Sequence, residues 1–476
     1  MHFARRHLAA AIAVATLSLA ACGGGGGGGA TPAGVSVATA QPAGIGFQEA
    51  NGTTSPGPST VGSGTTTTGS GGSASSGTAA TTPSQAAFEA RIVNGDPAGD
   101  QSNASIAALA GGGHLVAWTV APPAGSEAGI VCWQRLDAAS SAAGAQRCTA
   151  VARLWAGTGS GQTSVAPLRD GGALVSWQVF EGTGSNTDVQ VQRVDAAGAP
   201  VGVPVAANAS TADDQAYAAS AGLAGGGAVV VWRDNPTQSI RLQRYDASGA
   251  AAGAETRVDA GASGDRFTPV VAGLADGSFV VAWSGQQPGT VGSAVYARRF
   301  GADGTALGAE ALVSDTQVTG LYPKLAALTG GGYVIAWNAG SAAVAQRFAA
   351  NGTAAGARLS LDPDWLQNGP QTCYRPYPTS CPPFQVVAAV GALADGGFVA
   401  MWGNSSGISL SNGLFGRRYA ADGTAGAVAQ VLNPLAMGSS HAISATADGG
   451  FLLAWSGSDS DAGGILLQRF AADSLR

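Results

Sequence analysis

Asp276-Gly-Ser-Phe-Val-Val-Ala-Trp283, followed at a short interval by Arg298-Arg299-Phe300-Gly-Ala-Asp303-Gly304, is the stretch that decides the fold. An Asp-Gly pair admits the tight turn that hairpins favour, and the apolar run after it reads as a strand ending on an indole. The same unit recurs at residues 111–118, 170–177, 225–232, 330–337, 395–402 and 448–455. Successive tryptophans lie 59, 55, 51, 54, 65 and 53 residues apart. Each is followed, 10 to 17 residues on, by an arginine in a second strand: Arg135, Arg193, Arg244, Arg299, Arg347, Arg418 and Arg469.

Working outward, an apolar segment precedes each glycine turn (residues 269–274), and another follows the second turn (residues 310–313). Each unit therefore predicts four short strands, A to D, with the tryptophan in B and the arginine in C. Four strands in about 50 residues, repeated, is the pattern of a β-propeller blade. Parallel β-helices repeat at shorter intervals, and the 3.6-residue periodicity of helical solenoids is absent. The last copy stops after strand C, whereas the region opens with an orphan strand at 88–93 that runs on into a strand A. The expected fold is all-β: a seven-bladed β-propeller over residues 87–476, closed by the N-terminal strand completing the last blade and so removing exposed edges.

The unit resembles the glycine-turn, Val-Ala-Trp, Gln-Arg-Phe-x-Ala-Asp-Gly repeat of many exported bacterial propeller-like proteins, over residues 88–476. Most such proteins have no assigned activity, so the resemblance implies a fold more than a function. A residue present in all seven copies is expected to be structural, because chemistry needs one site. The tryptophans should fill the space between blades, and the arginines should stack on them or bond turn carbonyls.

The N-terminus reads as an export signal. A basic start with Arg5 and Arg6 precedes an apolar run at 8–21, shorter than the roughly 20 residues that span a bilayer. Leu19-Ala20-Ala21-Cys22 resembles the lipobox of bacterial lipoproteins. That resemblance implies a cleaved signal at 1–21, an acylated Cys22, and outer-membrane residence, since no aspartate follows the cysteine. Several acyl chains on one residue meet the need of a stable anchor for more than one chain. Residues 22–86, nearly all Gly, Ala, Ser, Thr and Pro after the cysteine, lack the apolar side chains that offset the entropy of ordering and are expected to form a tether.

Charged residues make up 11 % of the chain and the formal charge is −6, which argues against a nucleic-acid partner. With Cys22 acylated, four cysteines remain in two close pairs. An exported chain favours disulfides Cys132–Cys148 and Cys373–Cys381 over a metal site, for which no Cys-x-x-Cys or nearby histidine is present.

In a propeller the A–B and C–D turns share one face and the B–C and D–A loops the other. Here the second class is the longer and more varied, which makes it the expected working face. Of the two histidines beyond the signal, His114 follows an A–B turn and His441 opens a strand A, so neither a catalytic triad nor a multi-histidine metal site can be assembled. Asp213, Asp214, Asp259, Asp265, Asp315, Asp362 and Asp364 fall in D–A loops, where solvated aspartates are the plainer reading and a glycosidase-like pair the sharper one. Asp459-Ser-Asp461-Ala-Gly463 resembles the opening of a calcium loop without its later acidic ligand; no other cofactor is indicated. The segment 361–383 departs furthest from the repeat and gathers Trp365, Tyr374, Arg375 and Tyr377, residues typical of binding hot spots.

These residues favour a membrane-tethered module that binds a protein or glycan, rather than an enzyme. The alternatives are a glycan hydrolase or lyase using the loop aspartates, and an architectural component of the envelope. Cys22→Ser is expected to abolish metabolic labelling with palmitate; labelling that persists in the variant rejects the lipobox reading.

Overall fold

The computed structural model describes residues 90–475 except 97–98, 122–128, 152–162, 181–185, 211–213, 261–263, 287–291, 316–318, 364–383, 406–409, 433–438 and 459–462. By internal contacts the chain divides into Met1–Thr78 and Ala79–Arg476, and the described residues all belong to the second unit. They form seven four-stranded antiparallel sheets, the blades of a propeller. Blade 1 is β2 (Gln101–Ala108), β3 (His114–Val120), β4 (Gly129–Leu136) and β5 (Arg147–Val151). Blade 2 is β6 (Ser164–Pro167), β7 (Ala173–Phe180), β8 (Thr187–Val194) and β9 (Pro200–Ala206). Blade 3 is β10 (Gln215–Gly222), β11 (Ala228–Asp234), β12 (Ser239–Tyr245) and β13 (Thr256–Arg257). Blade 4 is β14 (Arg266–Gly273), β15 (Phe279–Gln286), β16 (Ser293–Phe300) and β17 (Ala311–Leu312). Blade 5 is β18 (Gly320–Ala327), β19 (Tyr333–Ala339), β20 (Ala342–Phe348) and β21 (Leu359–Ser360). Blade 6 is β22 (Phe384–Ala392), β23 (Phe398–Ser405), β24 (Leu410–Tyr419) and β25 (Ala429–Leu432). Blade 7 takes β26 (Ser439–Ala445), β27 (Phe451–Ser458) and β28 (Gly463–Phe470) from the C-terminus, and β1 (Arg91–Ile92) from the other end of the region.

The ring closes as the orphan strand requires, over a shorter ladder than 88–93. Arg91 pairs with Leu467 and Ile92 with Leu466. Val93 N–H then donates to Ile465 O at 2.7 Å, and Asn94 Oδ1 accepts from Ile465 N–H at 2.8 Å. Residues 88 and 89 lie outside the described residues.

Burial explains why the tryptophan recurs. Seven apolar clusters each join two neighbouring blades, and each contains the indole of the later blade: Trp177 between blades 1 and 2, Trp232 between 2 and 3, and so on to Trp455. Trp118 sits in the cluster between blades 7 and 1, so the closing interface is built like the other six. All seven indoles are completely buried. Cross-strand rings continue the pattern at the other end of strands B and C: Phe279–Phe300, Tyr333–Phe348, Phe398–Tyr419 and Phe451–Phe470 stack with centroids 4.6–5.2 Å apart.

Six of the seven repeat arginines, all but Arg135, bind turns, and among the described residues none of the seven stacks on a blade tryptophan. Arg418 and Arg469 reach the A–B turn aspartates of their own blades, Asp395 and Asp448, at 2.7 and 2.8 Å. Arg244 donates to Ala302 O at 3.0 Å, and Arg347 to Ala421 O, both carbonyls lying in the C–D turn of the next blade. Arg469 likewise crosses from blade 7 to Ala138 O and Ser140 Oγ of blade 1. The glycine of that turn is demanded twice over: Gly304 has φ +83°, and a Cβ there would lie 2.7 Å from Arg244 Nε. The glutamine before the arginine ties the same corner, since Gln243 Nε2 donates to Arg244 O at 2.8 Å and Gly253 O at 3.1 Å. Gln134, Gln192 and Gln346 do likewise in their blades.

A disulfide joins Cys132 of β4 to Cys148 of β5, registered partners in blade 1; Cys373 and Cys381 lie outside the described residues. The outermost strands of blades 3, 4, 5 and 7 are two residues long, which blunts edges open to aggregation.

Trp283→Ala should lower stability by about 3–5 kcal/mol, the range for a buried aromatic truncated in a core, and removing 88–93 should expose the edge of β28 and destabilise the ring. Chemical denaturation measures both; variants that unfold like the parent contradict the closure described above.

Candidate functional site

The A strands line the central channel, and five of them are deformed at the same point. In β2, β10, β14, β18 and β26 two residues face one tryptophan of strand B, because the register slips between Ser102 and Ser105, Ala216 and Ala219, Phe267 and Val270, Leu321 and Lys324, and Ser439 and Ala442. The first residue of each bulge is non-glycine with positive φ: Asn103 at 59°, Tyr217 at 57°, Thr268 at 50°, Tyr322 at 55° and Ser440 at 57°. Such conformations cost of order 1–3 kcal/mol each and persist where the surroundings over-determine them. A bulge also re-aims side chains, here in a ring near the D–A end of the channel.

The surroundings that hold the bulges come largely from the preceding blade. The residue after the blade tryptophan accepts a hydrogen bond from the bulge amide next door. Gln178 Oε1 accepts from Tyr217 N–H at 3.3 Å, and Ser284 Oγ from Tyr322 N–H at 3.0 Å. Asn338 Oδ1 accepts from Val387 N–H at 2.8 Å in blade 6. Within blade 1, Asn103 Nδ2 donates to Thr119 Oγ1 at 3.0 Å. Tyr217 and Tyr322 lie close enough for one phenol to act on the other; desolvation raises the pKa of Tyr322, and Tyr217 adds to it.

Below this ring lies a cavity of 240 Å³ to which all seven A strands contribute. Ser105, Ser164 and Ser220 supply hydroxyls, and most of the wall is Val, Ile, Leu and Ala. Two ionisable groups enter it, Lys324 from blade 5 and His441 from blade 7. His441 is the second bulge residue of β26, opposite Trp455. It therefore lines the channel instead of standing on the loop face where its position at the head of a strand A suggested. Burial, with the positive charge of Lys324, pushes its pKa down to about 4, and burial lowers that of Lys324. His114 is at the far end, where Nε2 lies 3.0 Å from Ala445 O and burial lowers its pKa.

The loop aspartates are committed to structure. Asp259 Oδ1 accepts from Ile240 N–H at 2.9 Å, while Oδ2 takes Arg257 at 2.7 Å and Arg266 at 3.4 Å. Its place after strand D is filled by Asn94, Asn208 and Ser314 in other blades, each accepting from the equivalent strand-C amide at 2.8–3.0 Å. Asp265 pairs with Arg233 at 2.9 Å and Asp315 with Arg358, whose guanidinium holds the carboxyl below the usual range. Asp214 accepts from Thr187 N–H at 3.0 Å and Asn235 Nδ2 at 3.3 Å, and Asp362 from Gln385 Nε2 at 3.2 Å. Asp213 and Asp364 lie outside the described residues.

So do Trp365, Tyr374, Arg375 and Tyr377, the calcium candidates Asp459 and Asp461, and Cys22. Among the described residues no group of three or more His, Cys, Asp and Glu side chains is placed to hold a metal ion. The B–C loops do not all have the length expected of this face: blade 5 turns through Gly340 and Ser341 alone, and blade 3 through residues 235–238. Sequence reading missed the bulge ring and the channel pair. Its usable signals were the polar residue after each tryptophan and the only lysine of the chain, Lys324, within a strand A.

The sequence matches no protein-family model and no curated protein. Solved structures similar to it include a protein of unknown function from Dyadobacter fermentans, 12 % identical over 80 % of this chain and 98 % of that one, with a TM-score of 0.43. The α-L-arabinofuranosidase of Fusarium graminearum is 10 % identical over 66 % and 94 %, with a TM-score of 0.44. The endo-arabinase of Bacteroides thetaiotaomicron is 13 % identical over 52 % and 90 %, with a TM-score of 0.34. Likenesses this distant carry no argument about what this chain does.

The neutral imidazole of His441 has a sign to test. The unfolded chain takes up its proton near the ordinary value of 6.5, and the folded chain only near 4. Its contribution to stability is full above pH 6.5 and is lost as pH falls towards 4, by about 2–3 kcal/mol through linkage. Denaturant unfolding of the parent and of His441→Gln at both ends of that window should show a steeper acid loss in the parent. Parallel profiles contradict the burial of a neutral imidazole.

Proposed function

We propose that this chain is a binding module of the bacterial cell envelope, held at the outer membrane by an acylated Cys22. The B–C and D–A loops form its working face, and the segment bearing Trp365, Tyr374, Arg375 and Tyr377 engages a protein or glycan. One observation carries the choice of binding over catalysis. Asp214, Asp259, Asp265, Asp315 and Asp362 each hold an arginine, an amide or a side-chain donor of the scaffold. A glycosidase needs one carboxyl free to hold a proton and a second free to attack or to activate water. Carboxylates fixed by guanidinium groups are poorly suited to both roles.

A face set on a rigid ring suits recognition for a further reason. Seven interlocked blades keep loop ends still, so that ordering on binding is confined to the loops themselves. Rings and a guanidinium supply the amphipathic area and directional donors that dominate interface energetics. The glycine-rich segment 23–86 acts as a spacer, with a typical end-to-end distance of about 40–50 Å for a flexible chain of that length.

A screen of glycans and envelope extracts against residues 86–476 should find the ligand. Replacing Trp365, Tyr374 and Tyr377 together by alanine should then weaken binding by at least about 2 kcal/mol and leave the melting temperature unchanged, whereas Asp303→Asn on the opposite face should leave binding intact. A triple variant that binds normally rejects this loop as the contact surface.

A further inference from the structure

The central channel holds a cation with nothing to neutralise it. Lys324 is the only lysine of the chain, and no described residue offers it a hydrogen bond or an ion pair, whereas many of the described arginines meet an aspartate. His441 faces the same cavity, its Nε2 buried and without a partner. The other lining residues are Ser, Ala, Val, Ile and Leu, so no acid balances the pair. Nor do the hydroxyls turn towards it. Ser220 and Ser164 bond to each other at 3.0 Å, and Ser105 bonds to Thr163 at 3.0 Å.

A half-buried ammonium with no partner from the protein is held by solvent or by an anion that enters the channel. We propose that the channel is a binding site for one small free carboxylate, ion-paired to Lys324 and hydrogen-bonded by His441 Nε2–H. The valence of the site selects the ligand. One ammonium beside a neutral imidazole matches a single negative charge. A phosphate dianion would leave one charge unmatched in a poorly polarisable channel. The aliphatic wall, with Ile106, Val165, Val271 and Leu325 among its members, suits a short hydrocarbon tail behind the carboxylate. A cavity of 240 Å³ admits a molecule of a few non-hydrogen atoms. The site is independent of the loop-face reading: it uses neither the loop aspartates nor the segment 364–383, and its ligand is a small molecule.

A chain with one lysine allows a direct test. Lysine-selective isotope labelling of the full chain in detergent gives one side-chain resonance, that of Lys324. Adding butyrate should move it and raise its pKa by about one unit or more, the linkage signature of a tenfold preference for the ammonium form. Butanol and inorganic phosphate at the same concentration should leave it in place. Calorimetric affinity for butyrate should fall at least tenfold in Lys324→Met and measurably in His441→Gln. A resonance that ignores butyrate, one that answers phosphate equally, or a Lys324→Met chain of unchanged affinity each overturns the proposal. The resonance measurement on the unmodified chain decides the matter even if the variants fail to fold.

Discussion

The structure depends on an indole buried between two blades. Each of the seven tryptophans contacts its own sheet and the preceding one, so the apolar surface of a blade is covered only when its neighbour is present. A single four-stranded blade has no core of its own. The ring must therefore close. The N-terminal strand meets that demand, because blade 7 has no fourth strand of its own and the cluster around Trp118 joins the two ends of the region.

The same indole shapes the channel. In five blades two strand-A residues lie opposite one tryptophan, and the first takes a positive φ that a non-glycine residue adopts only under constraint. The constraint comes in part from the polar residue after a tryptophan, which in blades 2 and 4 holds the bulge amide of the next blade. Packing between blades and the form of the channel mouth are thus one feature. On the other face, arginine and glutamine lock the turns, and those turns need glycine where a neighbour's guanidinium crosses them. Uniform turns on one face and variable loops on the other follow from which of the two is clamped.

Electrostatics divides along the same line. Among the described residues, Asp214, Asp259, Asp265, Asp315 and Asp362 of the loop face are held by arginines, amides or side-chain donors. The channel is the exception, with an ammonium and an imidazole among aliphatic walls and no acid in reach. A polar pair with no acid beside it in the cavity is best understood through what it could bind.

The sequence by itself determined the blade count, the four strands of each, the closing strand and the Cys132–Cys148 pairing. These rest on local signals: a glycine turn, an apolar run ending on an indole, a missing final strand, and two cysteines close in sequence. It also placed Asp214, Asp259, Asp265, Asp315 and Asp362 on the right loops, though Asp259 takes the position of Asn94, Asn208 and Ser314 in other blades and so was legible as a strand cap. Only the tertiary structure decided that Lys324 and His441 share a cavity. They stand 117 positions apart in two non-adjacent blades, and what brings them together is ring closure, a property of seven interfaces at once. Burial and partner choice depend on the whole ring, so no window of sequence contains them.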